Sequence, residues 1–191
     1  MEDVELVRRM MAGDGEAFGE LMIRTQRDLM RLSYLISGNY ADSEDIVQET
    51  YVQAFLKRGT IKSPEFFKTW LIRTMTRTAW RYLKKKGREM PSGDATEDQA
   101  AALFGSLEDA AALQAERDDE NRRLYEAIFR LPVKHRTAVI LYYFEEMTTK
   151  EIAAASGCLE GTVKSRLYTA RRRLKEELDG KEMTAERRLS L

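Results

Sequence analysis

The chain has 191 residues, 43% of them hydrophobic, enough for one or two small domains with real cores. Its 32 basic and 32 acidic residues cancel to a formal charge of zero, which excludes a uniformly cationic coat and makes the local distribution decisive. One cysteine, Cys158, excludes an internal disulfide and a cysteine metal cluster, and no apolar run suggests a membrane span or a signal peptide, so a cytoplasmic protein is expected.

Strand signals are nearly absent, no internal repeat is visible, and an all-α fold is expected. Val4, Leu6, Val7, Met10 and Met11 predict a short first helix that ends near Gly13-Asp14-Gly15. A second runs from about Glu16 to Ser37 with Phe18, Leu21, Met22, Leu29, Leu32 and Ile36 inward, and Gly38-Asn39 stops it. Asp42 is the expected N-cap of the third, with Glu44 and Asp45 favouring its positive dipole end and Val47, Tyr51, Ala54 and Phe55 as its core face. On that helix Glu44, Asp45, Gln48 and Glu49 share an arc of about 140° at ~100° per residue. The arc suits either a solvated face or a polar interface with a basic partner.

Lys57 to Lys62 reads as a basic loop, and Ser63-Pro64-Glu65 as a helix start with Ser63 as N-cap. The fourth helix runs roughly to Lys86. Phe67, Leu71, Thr74, Met75, Thr78 and Tyr82 fall on one side; Phe66, Trp70, Arg73, Arg77, Trp80 and Lys84 fall on the other, with Arg81 beside them. From Lys57 to Arg88 eleven basic residues face one acid, Glu65. Cations interleaved with aromatic rings are what a single-stranded nucleic acid needs, one for phosphate and the other for unstacked bases. Trp70 fits a core position as well as a surface one.

Charge then reverses. From Glu89 to Asn121 ten acids oppose one base, Arg117, in a Ser/Gly/Ala-rich stretch read as a flexible linker, with at most weak helix over Gln99–Arg117. Leu124, Ile128, Leu131, Val139, Leu141, Tyr142 and Phe144 restore helical periodicity, broken at Pro132. His135, the one histidine, is expected in solvent between Lys134 and Arg136.

Thr148 to Lys175 reads as two helices joined by a tight turn. Ile152, Ala153 and Ala155 give the first an apolar face, and Ser156-Gly157 ends it. In the second, Val163, Leu167, Ala170 and Leu174 form one buried stripe, leaving Thr162, Lys164, Ser165, Arg166, Tyr168, Arg171 and Arg172 outward. Short helix, glycine turn and basic amphipathic helix match the helix-turn-helix, whose second helix enters the major groove. The same spacing fits an ordinary helical hairpin with a solvated basic face. Asp179 to Leu191 reads as a frayed polar tail.

The wording narrows this further. Leu131-Pro132, Arg136, Tyr143-Phe144, Glu151-Ile152-Ala153, Gly161 to Leu167 and Ala170-Arg171 closely resemble the C-terminal DNA-binding domain of extracytoplasmic-function sigma factors, the small sigma subunits of bacterial RNA polymerase. Asp42-x-Glu44-Asp45-Ile46-Val47-Gln48-Glu49-Thr50 resembles the sigma segment that docks on the β′ clamp helices. The resemblance implies an N-terminal domain (1–89), an acidic linker (90–121), a C-terminal helix-turn-helix domain (122–178) and a tail (179–191). It implies core polymerase as partner through the β′ clamp helices and the β flap, with Asp42, Glu44, Asp45, Gln48 and Glu49 in the docking segment. Promoter DNA follows as the second partner. Lys62, Arg73, Arg77, Trp80, Arg81 and Lys84 match the element that recognises and melts the −10 promoter element. The second helix of the helix-turn-helix matches the −35 reader, with Lys164, Ser165 and Tyr168 at base edges and Thr162, Arg166, Arg171 and Arg172 at phosphates. An anti-sigma factor is an expected third partner; no cofactor and no metal are expected. Arg77 and Arg81 stand where many relatives have Asn and Asp, Leu159 where Ser or Pro is usual, and Thr169 where Arg is frequent. The alternative is a stand-alone helix-turn-helix regulator that never joins polymerase; an enzyme has no nucleophile–base pair, phosphate loop or ligand cluster to support it.

Overall fold

Asp14 joins the first two helices. Its side chain accepts hydrogen bonds from the amides of Glu16 and Ala17 at 2.9 and 3.1 Å, capping the second helix, while the Arg9 guanidinium donates to it from the end of the first at 2.8 Å. Those bonds hold its carboxyl below the usual carboxylate range, the Ala17 amide most and Arg9 next. In the computed structural model, which describes residues 2–89 and 119–189, the described residues form two compact, wholly helical units. The first contains α1 (Glu2–Met11), α2 (Gly15–Ser37), α3 (Tyr40–Lys57) and α4 (Phe67–Glu89), with 3-10 turns at Arg58–Thr60 and Pro64–Phe66.

Gly38 ends α2 in the left-handed conformation (φ 75°), its amide donating to the Tyr34 carbonyl at 2.8 Å. That turn leaves Asn39 extended, and Asn39, not Asp42, caps α3: its side chain accepts from the Asp42 amide at 3.0 Å. Asp42 falls one turn inside and points inward, only 7% exposed. Leu6, Val7, Met10, Leu32, Ile36, Ile46, Leu71 and Met75 make the core where the four helices meet. Phe55, expected in that core, is 38% exposed; Ile46 and Thr50 are fully buried instead. At ~100° per residue Phe55 lies about 40° beyond Tyr51, at the edge of the face, where it meets Phe18 (5.3 Å between centroids) and lies under the Arg58 guanidinium (4.4 Å).

The expected helix start at Ser63 is a 3-10 turn, and Ser63 does not cap: its hydroxyl donates to the Glu65 carboxylate. The α-helix begins at Phe67 and continues to Glu89, past the expected Lys86. Its buried face is wider than periodicity suggested, because Ile72, Thr76 and Ala79 are also enclosed. Thr76 satisfies its hydroxyl on the Ile72 carbonyl at 2.8 Å, the turn-back bond that lets a threonine sit inside a helix core.

The second unit contains α5 (Asp119–Arg130), α6 (Val133–Tyr143), α7 (Thr149–Ser156) and α8 (Glu160–Leu189). Asp119 to Asn121, assigned to the linker, are the first turn of α5; residues 90–118, including Gln99–Arg117, lie outside the described residues. Every residue of α6 from Arg136 to Leu141 is buried. Arg136 donates to the Phe129 carbonyl at 2.9 Å and lies 5.5 Å from the Phe129 ring centre; burial pushes its pKa down to about 10, so it remains a cation at neutral pH. The predicted frayed tail is helical to Leu189. Residues 181–189 are mostly good helix formers, and one interior glycine, Gly180, costs only about 1 kcal/mol against them.

Candidate nucleic-acid interface

The second unit carries a helix-turn-helix. Thr148 and Glu151 form a capping box at the start of α7: the Thr148 hydroxyl accepts from the Glu151 amide at 3.2 Å, and the Glu151 carboxylate accepts from the Thr148 amide at 2.9 Å. Ile152, Ala153 and Ala155 are buried as expected, and Gly157 closes the helix at φ 61°, donating to Ala153. Val163, Leu167 and Ala170 lock α8 against α6 and α7, with Leu174 half-buried at the end of the stripe.

That packing turns the other side of α8 outward. Lys164, Ser165, Tyr168, Arg171 and Arg172 are exposed, Tyr168 at 70%; Thr162 and Arg166 are half-buried. Arg171 is held in place, its Nε donating to the Tyr143 hydroxyl at 2.8 Å with the guanidinium against the Tyr142 and Tyr143 rings. Arg166 reaches back to the Cys158 sulfur at 3.7 Å, which gives that lone thiol a structural neighbour in the turn. Lys164 and Arg172 pair along the helix with Glu160 (2.9 Å) and Glu176 (3.6 Å). Such exposed pairs are worth less than about 1 kcal/mol, so both cations can be drawn to a phosphate.

His135 corrects an expectation. It is half-buried, and its shielded Nδ1 has no hydrogen-bond partner among the described residues. Burial lowers its pKa, and the charges of Arg173 and Arg166 lower it further. Nothing in the sequence marked Arg173 or Arg166 as its neighbours, since α6 and α8 meet only through the fold.

On the first unit, Lys62, Arg73, Arg77, Arg81 and Lys84 are exposed, a cationic stripe along α4 and the turn before it. Partial burial lowers the Arg77 pKa, and the neighbouring Arg73 charge adds to it. Trp80 and Trp70 are both half-buried; the Trp70 indole donates to Thr60 at 3.1 Å and stacks on Phe67. Phe66, in the turn before α4, is an open ring at 61% exposure.

The five residues expected in the docking segment of α3 divide. Glu44, Asp45 and Gln48 are exposed and Glu49 half-exposed, whereas Asp42 belongs to the interior: Lys86 donates to its two oxygens at 2.6 and 2.8 Å and Tyr82 to one at 3.3 Å. Tyr82 also donates to Asp45 at 2.7 Å, and that bond, with burial and the two carboxylate charges, raises the phenol pKa well above its ordinary value. Arg81 lies 3.7 Å from Glu49. Three side chains of α4 therefore tie to three acids of α3.

Comparison with known proteins decides what two such units are. Residues 21–89 match the family described as Sigma-70 region 2, and residues 121–174 match Sigma-70, region 4. The ECF RNA polymerase sigma-E factor of Escherichia coli is 34% identical over 191 aligned residues, covering 95% of this chain and 94% of the relative. The chain belongs to the extracytoplasmic-function sigma factors. A second relative of this sigma factor, the RNA polymerase sigma-H factor of Pseudomonas aeruginosa, is 30% identical over 181 residues, 93% of this chain and 94% of that one. The fold also matches the sigma factor RpoE of Bartonella quintana, solved in complex with the anti-sigma factor NepR, at a TM-score of 0.63, 24% identity, and coverage of 85% and 96%. The protein directs promoter-specific transcription initiation by RNA polymerase, a non-enzymatic task. Among the described residues of the sigma factor no helix is long and apolar enough to cross a membrane, and no group of acids, histidine and cysteine could hold a metal ion.

Proposed function

We propose that the exposed arc of α3, Glu44, Asp45, Gln48 and Glu49, docks this sigma factor on the β′ clamp helices of core polymerase. In the same reading α4 with Lys62 binds and melts the −10 element, and α8 reads the −35 element. Carrying the proposal is the arrangement of α3: a polar, acidic arc left outward by a helix whose opposite face is fully committed to the core. Charge on a rim of this kind sets register and encounter rate with a cationic partner more than raw affinity. Asp42 is omitted from the docking set because Lys86 and Tyr82 already satisfy it. It acts through the fold, holding α4 at a fixed angle to the arc.

The α4 stripe supplies phosphate contacts from Lys62, Arg73, Arg77, Arg81 and Lys84, with Trp80 and Phe66 as rings for unstacked bases, each stacked base contributing roughly 1–3 kcal/mol. On α8, Lys164, Ser165 and Tyr168 reach base edges while Thr162, Arg166, Arg171 and Arg172 hold the backbone. The same unit contacts the β flap. An anti-sigma factor is the third partner in this reading, supported by the Bartonella sigma factor of like fold, which was solved in complex with one.

The test is Glu49→Lys. It reverses one charge on the arc, breaks the weak exposed pair with Arg81 and the hydrogen bond that Glu49 accepts from Gln53 at 2.9 Å, and leaves the core intact. Co-purification with core polymerase and run-off transcription are both expected to be lost, while helical content and thermal unfolding stay at the wild-type level. Arg81→Ala, which removes the same pair from the other side, is expected to keep core binding. Wild-type co-purification by Glu49→Lys would sink the docking assignment.

A further inference from the structure

Leu159 stands out on α8. Its carbonyl accepts from the amides of Thr162 (3.0 Å) and Val163 (3.3 Å), so it occupies the N-cap position of the recognition helix. That position favours Ser, Thr, Asp or Asn, whose side-chain oxygens satisfy the first free amides, and leucine has no such atom. Nor does it pack: its side chain is 79% exposed, more than Tyr168 on the same helix. A residue that neither caps nor fills the core is not explained by folding.

The polar groups around it are already engaged. The Glu160 carboxylate accepts from the Thr149 hydroxyl at 2.8 Å and from Lys164 at 2.9 Å, and these bonds lower its pKa. What the tip presents outward is an isobutyl group. In a helix-turn-helix the N-terminal residues of the second helix reach the base edges. On those edges in the major groove, the apolar feature available to them is the C5-methyl group of thymine.

We propose that Leu159 is a specificity-determining residue that contacts a thymine methyl in the −35 element. The inference rests on α8 being the −35 reader. It adds a direct base contact to the polar set on that helix and gives this sigma factor a thymine preference that a Ser at the same position would not confer.

Deoxyuridine isolates the claim, because it retains the pairing edge and O4 of thymine and lacks only the methyl. Holoenzyme assembled from core polymerase and the full chain is bound to a promoter fragment it has been shown to transcribe. Each thymine of the −35 element is replaced in turn by deoxyuridine. At one position the wild type is expected to lose affinity about fourfold, the equivalent of one methyl group returned to water (~0.8 kcal/mol). Leu159→Ser, which restores a cap and so keeps the fold, is expected to bind the two fragments equally. Leu159→Met, which keeps an apolar reach, is expected to retain the discrimination. Indifference of the wild type at every thymine overturns the proposal, as does a methyl effect that survives in Leu159→Ser or a −35 element without thymine. In each of those cases transcription from the unmodified promoter continues, so the reading of α8 survives. Absence of any promoter-directed transcript overturns both.

Discussion

His135 shows what enclosure does to a single side chain. With Nδ1 shielded and the charges of Arg173 and Arg166 nearby, its imidazole is held neutral, its pKa below the ordinary value near 6.5. The unfolded chain therefore binds a proton more readily in mild acid than the folded unit does. Stability from this residue is complete above about pH 6.5, the unfolded value, and is lost as the pH falls toward the lower folded value. His135→Gln is expected to flatten that part of the pH dependence. The amide-exchange protection factors of residues 136–141 in the full chain, corrected for the intrinsic base-catalysed rate and followed from pH 7.5 to 5.0, should fall more steeply in the wild type than in the variant. Equal slopes would show that the ring titrates alike in both states. Arg136, one residue on, behaves oppositely: its guanidinium is buried more deeply but keeps its charge, because a carbonyl and an aromatic face replace part of its water.

At the scale of the helix, the tie between α3 and α4 is the feature that periodicity could not reveal. Asp42 and Lys86 lie 44 positions apart and meet only when both apolar faces are buried. Removing the lysine strands a carboxylate that is 7% exposed. Lys86→Met is expected to destabilise the first unit by ~2 kcal/mol, less than the ~3–5 kcal/mol of a fully enclosed pair, since the lysine side chain is itself 39% exposed. Adding Asp42→Asn to it should recover part of that loss, a non-additivity expected of contacting groups. Urea unfolding followed by tryptophan fluorescence measures this directly, because Trp70 and Trp80 both belong to the first unit. Strict additivity would mean that the two groups do not interact.

The same contrast explains how much was legible beforehand. The Val163, Leu167, Ala170 stripe and the Gly38 and Gly157 stops follow from repeat distance and local backbone chemistry, and they are where periodicity placed them. The capping of α3 by Asn39 was missed because two capping residues lie three positions apart and the left-handed Gly38 selects between them. Phe55 and His135 were misplaced because position at the edge of a face depends on the neighbouring helix. The family wording groups Asp42 with Glu44, Asp45, Gln48 and Glu49, and only the packing of α3 against α4 separates the inward Asp42 from its outward neighbours.

For the whole molecule, charge segregation and chain length set the behaviour. The cationic stretch from Lys57 to Arg88 and the cationic face of α8 stand on either side of residues 90–118, which carry seven acids and one base. A flexible tether of about 30 residues has an r.m.s. span of about 30 Å, comparable with one turn of B-DNA at about 34 Å. Its fluctuations are as large as its mean, so a chain of that kind cannot measure the distance between two DNA elements. The expectation that follows from such a tether is that core polymerase sets this distance. Inserting about ten Gly/Ser residues after Gly105 would lengthen the r.m.s. span by only about 15%. Such an insertion is expected to leave the optimal spacing between the −35 and −10 elements unchanged in the holoenzyme, while the isolated chain shows no spacing optimum at all. A series of promoters with spacers varied one base pair at a time, read by run-off transcription, measures the first; binding of the free chain to the same fragments measures the second. An optimum that moved with the inserted length, or one already present in the free chain, would mean that the sigma factor carries its own ruler.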